Sequence, residues 1–151
     1  MEFIRRSEIM KIEKIFIAND HSGVEVKNFC KKFLQKKGFE VVDLGSNSSQ
    51  SVDYPDFSHK LAKNITKDSY YGILICGTGI GISMAANRHE NIRAALCHDA
   101  FTAKFARAHN DANVLCFGAR VVGFGIVENM IEIFFNTEFE GGRHQRRVEK
   151  I

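Results

Sequence analysis

The chain has 151 residues, 44% of them hydrophobic and 26% charged, with a formal net charge of +3. That length suits one domain and is short for two, and a chain of this size buries roughly 68–70% of its unfolded surface without needing disulfides or a structural metal. The charge is too mild for a nucleic-acid-binding face, and no apolar run approaches the length of about 18 residues that a membrane span needs, so neither nucleic acid nor a membrane is an expected partner.

Residues 1–11 read as an N-terminal tail without the hydrophobic core of a secretory leader, and Met10 is a candidate natural start. Residues 12–151 read as a single domain. "KIFIAND" (14–20) is an apolar run ending in polar residues and predicts a first strand. Residues 23–38 place Val26, Phe29, Cys30, Phe33 and Leu34 at helical spacing, with Gly38 suited to end the helix. "FEVVDLG" (39–45) predicts a second strand, 46–56 a polar loop holding the only proline, and 57–67 a short helix. "YGILICG" (71–77) is apolar throughout, as a strand buried on both faces should be. A helix over 80–89, a strand over 92–98, a helix over 99–110 capped by Asp99, a strand over 112–118 and a helix over 125–137 follow, then a basic tail. Strands alternating with helices predict a three-layer αβα sandwich, a doubly wound, Rossmann-like parallel sheet of five strands. Ligands of such sheets bind beyond the carboxyl ends of the strands.

The third strand runs into Gly77-Thr78-Gly79-Ile80-Gly81 and then a helix. Glycines let a backbone approach a ligand closely, and first-turn amides favour anions. A dinucleotide fingerprint needs a glycine at position 82, where isoleucine stands, and no Gly-Lys-Ser/Thr follows for a P-loop. The four cysteines, Cys30, Cys76, Cys97 and Cys116, form no Cys-x-x-Cys pair and read as reduced thiols of a cytoplasmic protein. Burial as small hydrophobes accounts well for three of them. Cys76 stands where the strand ends and the pocket should begin, and neighbouring amides would favour its thiolate.

Asp20 and His21 follow the first strand, as a cap and its neighbour or as ligand contacts. His109 and Asn110 close a helix, and an imidazole there either complements the helix end or moves protons. Arg143 and Arg147, four apart, share a face if their segment is helical; they then clamp a phosphate, or else sit on a solvated tail, with Arg120 a third candidate. The six histidines show no paired metal-ligand spacing, so no metal is expected.

"ANDHSG", "DYPDF", "GILICGTGIGISMAANR", "RAALCHDAFTAKFARAHNDANVLCFGARVVG" and "FEGGRHQRRVEKI" together resemble type B ribose-5-phosphate isomerase, from about residue 12 to the end. The resemblance implies interconversion of ribose 5-phosphate and ribulose 5-phosphate without metal or organic cofactor. It implies Cys76 as the base moving a proton between C2 and C1, and Gly77 to Gly81 as backbone donors to the enediolate. It implies His109 as the acid that opens the furanose ring, assisted by Asp20. Tyr54, Thr78 and Asn110 would contact the sugar, and His21, Arg120, Arg143 and Arg147 the phosphate. It further implies a homodimer or homotetramer with sites shared between subunits. A branch of that family replaces the cysteine with a glutamate just beyond the glycines; "GTGIGISMAANR" holds no acid, which leaves the cysteine branch. The related galactose 6-phosphate and allose 6-phosphate isomerases differ by one carbon in substrate. A phosphometabolite-binding module and a thiol redox enzyme are the readings from other classes; the latter lacks a resolving cysteine near Cys76 in sequence.

Overall fold

The computed structural model describes residues 10–151; the nine residues before Met10 lie outside the described residues. Five parallel strands form one sheet: β1 (Lys14–Asn19), β2 (Val41–Asp43), β3 (Tyr70–Cys76), β4 (Ala94–Leu96) and β5 (Val114–Gly118), in the order β2-β1-β3-β5-β4. Six helices connect them or follow: α1 (Val24–Lys36), α2 (Tyr54–Asn64), α3 (Ile80–Ala86), α4 (Ala100–Asn110), α5 (Phe124–Phe134) and α6 (Arg143–Val148). The expected αβα sandwich is the one observed.

The pleat sorts the core. Ile15, Ile17, Ile73, Ile75, Leu115 and Phe117 face α1, α4 and α5. Phe16, Ala18, Leu74, Cys76, Val114 and Cys116 face α2 and α3. Each of these strands is buried on both faces, which is why it reads as an unbroken apolar run. Strand order reverses between β1 and β3, so the crevice for a ligand opens where Asn19 and Cys76 end.

The local signals mostly hold. Gly38, at φ +88°, closes α1: its N–H donates to Gln35 O at 3.0 Å and Phe39 N–H to Leu34 O at 3.2 Å. Asp99 caps α4, its carboxylate accepting from Thr102 N–H at 2.8 Å. The bounds of three elements are corrected. The helix expected over 57–67 spans Tyr54–Asn64, because Pro55 sits in its first turn, where a fixed φ suits a helix and no N–H is missed. The strands expected over 39–45 and 92–98 shorten to Val41–Asp43 and Ala94–Leu96; both lie at sheet edges and pair on one side only. Residues 143–148 of the basic tail form α6, which packs on α4 and buries His144 while its arginines stay exposed. Met10, at the end of the stretch read as a tail, is buried in the core with Ile12.

No described helix is long and apolar enough to cross a membrane. The four cysteines are free and buried. Burial pushes Cys30 up to about 12, Cys97 up to about 11 and Cys116 well above an ordinary thiol, so these three stay protonated at neutral pH.

Candidate active site

Cys76 is the last residue of β3. Its Sγ accepts a hydrogen bond from Gly79 N–H at 3.1 Å, so the turn curls back over the thiol. Gly79 holds that curl at φ +81°, a left-handed conformation, and a Cβ there would come within 2.7 Å of both Leu96 Cδ1 and the Phe117 carbonyl carbon. Both the conformation and the space therefore demand glycine. Gly79→Ala is expected to destabilise the fold by about 2–5 kcal/mol, from the left-handed backbone and the overpacking together, measurable as a lower urea midpoint.

The neighbouring strand ends tie onto this turn. Asp20 N–H donates to Ile75 O at 3.1 Å, Ala119 N–H to Cys76 O at 2.9 Å, and Arg120 N–H to Gly77 O at 3.1 Å. Asp20 is buried and its carboxylate accepts from the Ser22 amide at 2.9 Å and hydroxyl at 2.6 Å. His21 Nδ1 accepts from Val52 N–H at 3.2 Å, which leaves Nε2 as the protonated nitrogen. Tyr54, half exposed at the start of α2, lays its ring against Gly81. The Arg120 guanidinium lies over Gly77, and Thr78 and Ile80 are exposed on the turn. Asp20, His21, Tyr54, Cys76, the glycine turn and Arg120 thus converge on the carboxyl ends of β1, β3 and β5.

His109, Asn110, Arg143 and Arg147 do not join them. α4 starts beyond the carboxyl end of β4 and runs back over the sheet for eleven residues, about 16 Å. His109 and Asn110 therefore stand at the amino end, just before β5 begins at Val114, whereas Cys76 pairs with Gly118 at the other end of that strand. The His109 ring stacks on His144, centroids 4.1 Å apart and 13° from parallel, and packs at a 49° tilt against Phe105, centroids 4.7 Å apart. Glu140 N–H donates to Ala108 O at 3.0 Å and pins the segment before α6 to the end of α4. Arg143 and Arg147 are exposed on α6. The sequence reading passed over Glu140 and His144; their spacing of four residues was the available signal. Burial, first, and then the charges of His109 and Arg143 hold the His144 imidazole below its ordinary range.

A cavity of about 420 Å³ opens away from Cys76, lined in part by Lys67, Tyr71, Arg93, Arg107 and Asp111. Both of its arginines are already paired with Asp111, at 3.2 and 2.9 Å, which makes it a structural network.

The model of the Ribose/Galactose Isomerase family matches residues 15–151. This chain belongs to the ribose/galactose isomerase family. Family membership makes it an isomerase of sugar phosphates. It is 43% identical to ribose-5-phosphate isomerase B of Escherichia coli over 93% of this chain and 95% of that one. It is similar to the solved structure of ribose 5-phosphate isomerase B from Anaplasma phagocytophilum, with a TM-score of 0.89 and 48% identity over 93% of this chain and 97% of that one. The ribose-5-phosphate isomerase B of Mycoplasma genitalium, solved with bound ribulose-5-phosphate, matches with a TM-score of 0.84 and 45% identity over 91% and 92% of the two chains. The convergence at the carboxyl ends of β1, β3 and β5 is the candidate active site.

Proposed function

We propose that this enzyme interconverts ribose 5-phosphate and ribulose 5-phosphate through an enediolate, without metal or organic cofactor. The observation that carries the reading is Cys76 Sγ held 3.1 Å from Gly79 N–H at a strand end. That geometry sets a sulfur base beside backbone donors. The thiolate takes the proton from C2 of the open-chain aldose, and charge develops on the C1 oxygen. The O2 hydroxyl proton passes to O1, and the proton held by Cys76 is delivered to C1, which leaves the ketose with its carbonyl at C2. Backbone N–H groups of Gly77 to Gly81 stabilise the developing oxyanion, with Thr78 and Tyr54 against the sugar. Losing one such donor typically costs about 100- to 1,000-fold in rate.

Ribose 5-phosphate is mostly a closed ring, so an acid must protonate the ring oxygen first. His109 takes that role, with Asp20 assisting. His109, Asn110, Arg143 and Arg147 stand at the wrong end of their own sheet, so they serve the site of a second copy. His21, Arg120, Arg143 and Arg147 together hold the phosphate. The outer face of α4 supports a homodimer: Phe101, 70% exposed, packs at a tilt against Phe105, and Phe105 against His109, an aromatic stripe along the helix. Met84, 69% exposed on α3, adds a further apolar side chain at the surface. Exposed apolar side chains of this size mark a protein contact. A homotetramer would pair two such dimers.

The test is isomerisation of ribose 5-phosphate by the full chain in EDTA. Turnover supports the reading. Turnover only on a six-carbon aldose phosphate keeps the mechanism and moves the substrate to galactose or allose 6-phosphate. No turnover on either, with sugar phosphate still bound, leaves a binding module. Arg147→Ala is expected to raise KM about tenfold or more and to change kcat far less, because it removes a charged hydrogen bond made equally by substrate and transition state. Steady-state kinetics on that variant check it.

A further inference from the structure

We propose that Lys27 is a positioning residue for the candidate active site: its buried ammonium fastens the loop between β2 and α2, and that loop in turn sets the His21 imidazole. Lys27 lies on α1 and is fully buried. Its Nζ donates to Asn47 Oδ1 at 2.6 Å, to Ser46 O at 2.9 Å and to Asp43 Oδ1 at 3.2 Å. Those three acceptors match the three protons of an ammonium. Lys31 shares the carboxylate, its Nζ donating to Asp43 Oδ2 at 3.0 Å. Burial pushes the Asp43 carboxyl up, but hydrogen bonds from Lys31, the Gly45 amide and Lys27 outweigh it and hold the group below its ordinary range.

Stability alone does not call for this charge. Taking an ammonium out of water costs several kcal/mol, and apolar packing of the same volume is often as stabilising as a buried ion pair. What an apolar side chain cannot do is hold the loop. Asn47 is exposed, yet its side chain reaches down to the buried Nζ. Ser46 O accepts a second hydrogen bond, from Asn19 Nδ2 at 3.0 Å, and that amide also donates to Asp20 O at 2.8 Å. A continuous chain of bonds therefore runs from Lys27 through Ser46 and Asn19 to the carboxyl end of β1.

The far side of the loop meets the site directly. Val52 N–H donates to His21 Nδ1 at 3.2 Å, which is the bond that puts the ring proton on Nε2. Among the described residues, the hydrogen bonds that tie 46–52 to the rest of the chain reach only Asn19, Lys27 and His21. Lys27 thus holds the start of the loop, and the end of the loop selects the His21 tautomer. With the start released, Val52 N–H withdraws and the proton is free to move to Nδ1, the nitrogen turned away from the phosphate. Tyr54, which begins α2 two residues after Val52, hangs on the same tether.

The kinetic consequence rests on the reading of His21 as a phosphate contact; the tautomer does not. The experiment pairs nitrogen-15 NMR of the histidine rings with steady-state kinetics on ribose 5-phosphate, in the full chain. At about pH 8, above the imidazole range, wild-type His21 should show one tautomer, protonated at Nε2. Lys27→Met is expected to give a mixture of tautomers and a KM raised about tenfold or more, with kcat changed less. Asn47→Ala should do the same more weakly. Asn47→Asp keeps an acceptor at Nζ and should restore both readouts. Lys31→Gln loses the outer cation on Asp43 but no bond to the loop, so it should leave both unchanged. A single, unchanged tautomer in folded Lys27→Met overturns the proposal. So does an unchanged KM beside a lower urea midpoint, the behaviour of a purely structural lysine, and so does Lys31→Gln matching Lys27→Met. If Lys27→Met does not fold, Asn47→Ala, at an exposed position, decides. If the wild type turns over no sugar phosphate while the His21 tautomer still follows Lys27, the tether stands and the proposed function falls.

Discussion

Cys76→Ala is expected to lower kcat about 100- to 10,000-fold, the share a positioned base contributes to proton transfer. The dissociation constant for ribose 5-phosphate should stay within a few-fold. The reason is local. Alanine removes only Sγ, and Sγ bonds a single amide of its own turn. The glycine backbone, Arg120 and His21 keep their places, because other bonds hold them. Rates and calorimetric binding on the one variant separate the two quantities. A rate within a few-fold of the wild type would remove Cys76 as the base. Cys30, Cys97 and Cys116 provide the control. Burial holds their thiols protonated, so conservative replacement of Cys97 should leave kcat near the wild-type value while stability falls.

Mixing Cys76→Ala with His109→Ala chains is expected to restore activity that neither possesses alone. If each site takes Cys76 from one subunit and His109 from its two-fold mate, a hybrid dimer carries one site with both defects and one with none. Random reassortment makes half of the dimers hybrid, so about a quarter of wild-type activity should return. Co-refolding or co-expression of two tagged chains reads this out in the mixture, and the doubly tagged fraction, all of it hybrid, should show about half of wild-type activity. Sites completed within one subunit would give no recovery. The expectation follows from α4: eleven helical residues separate Asp99, at the Cys76 end of the sheet, from Asn110, at the other end. No side-chain movement spans that length.

The two variants also tell apart two ways of failing. A chain that folds and dimerises poorly loses activity in both variants and regains none on mixing. A chain with the proposed division of labour loses activity in each and recovers it only in hybrids. The aromatic stripe on α4 couples these outcomes, since Phe105 touches His109 at one end and Phe101 at the other.

By itself the sequence determined the layered α/β sheet and the make-up of one turn. Both are local in the chain. Strands buried on both faces must be apolar throughout, so 71–77 showed itself without knowledge of its neighbours. Cys76, Gly79 and the helix after them are consecutive, and a left-handed residue at a tight turn must be glycine or nearly so. Asp20 and Arg120 followed from the same rule, as the residues that come directly after strands. Edge strands and helix starts were read less well, since pairing on one side shortens a strand and a proline in a first turn resembles a loop. Tertiary structure alone decided which of these residues share a surface. His109 reads as near Cys76 in any list of reactive side chains, but α4 carries it to the far end of the sheet. His144 reads as part of a basic tail, but the turn at Gly141 and Gly142 folds α6 back and buries it against His109. The distances that matter there lie across packed helices, and residue spacing along a chain carries no record of where a helix turns back.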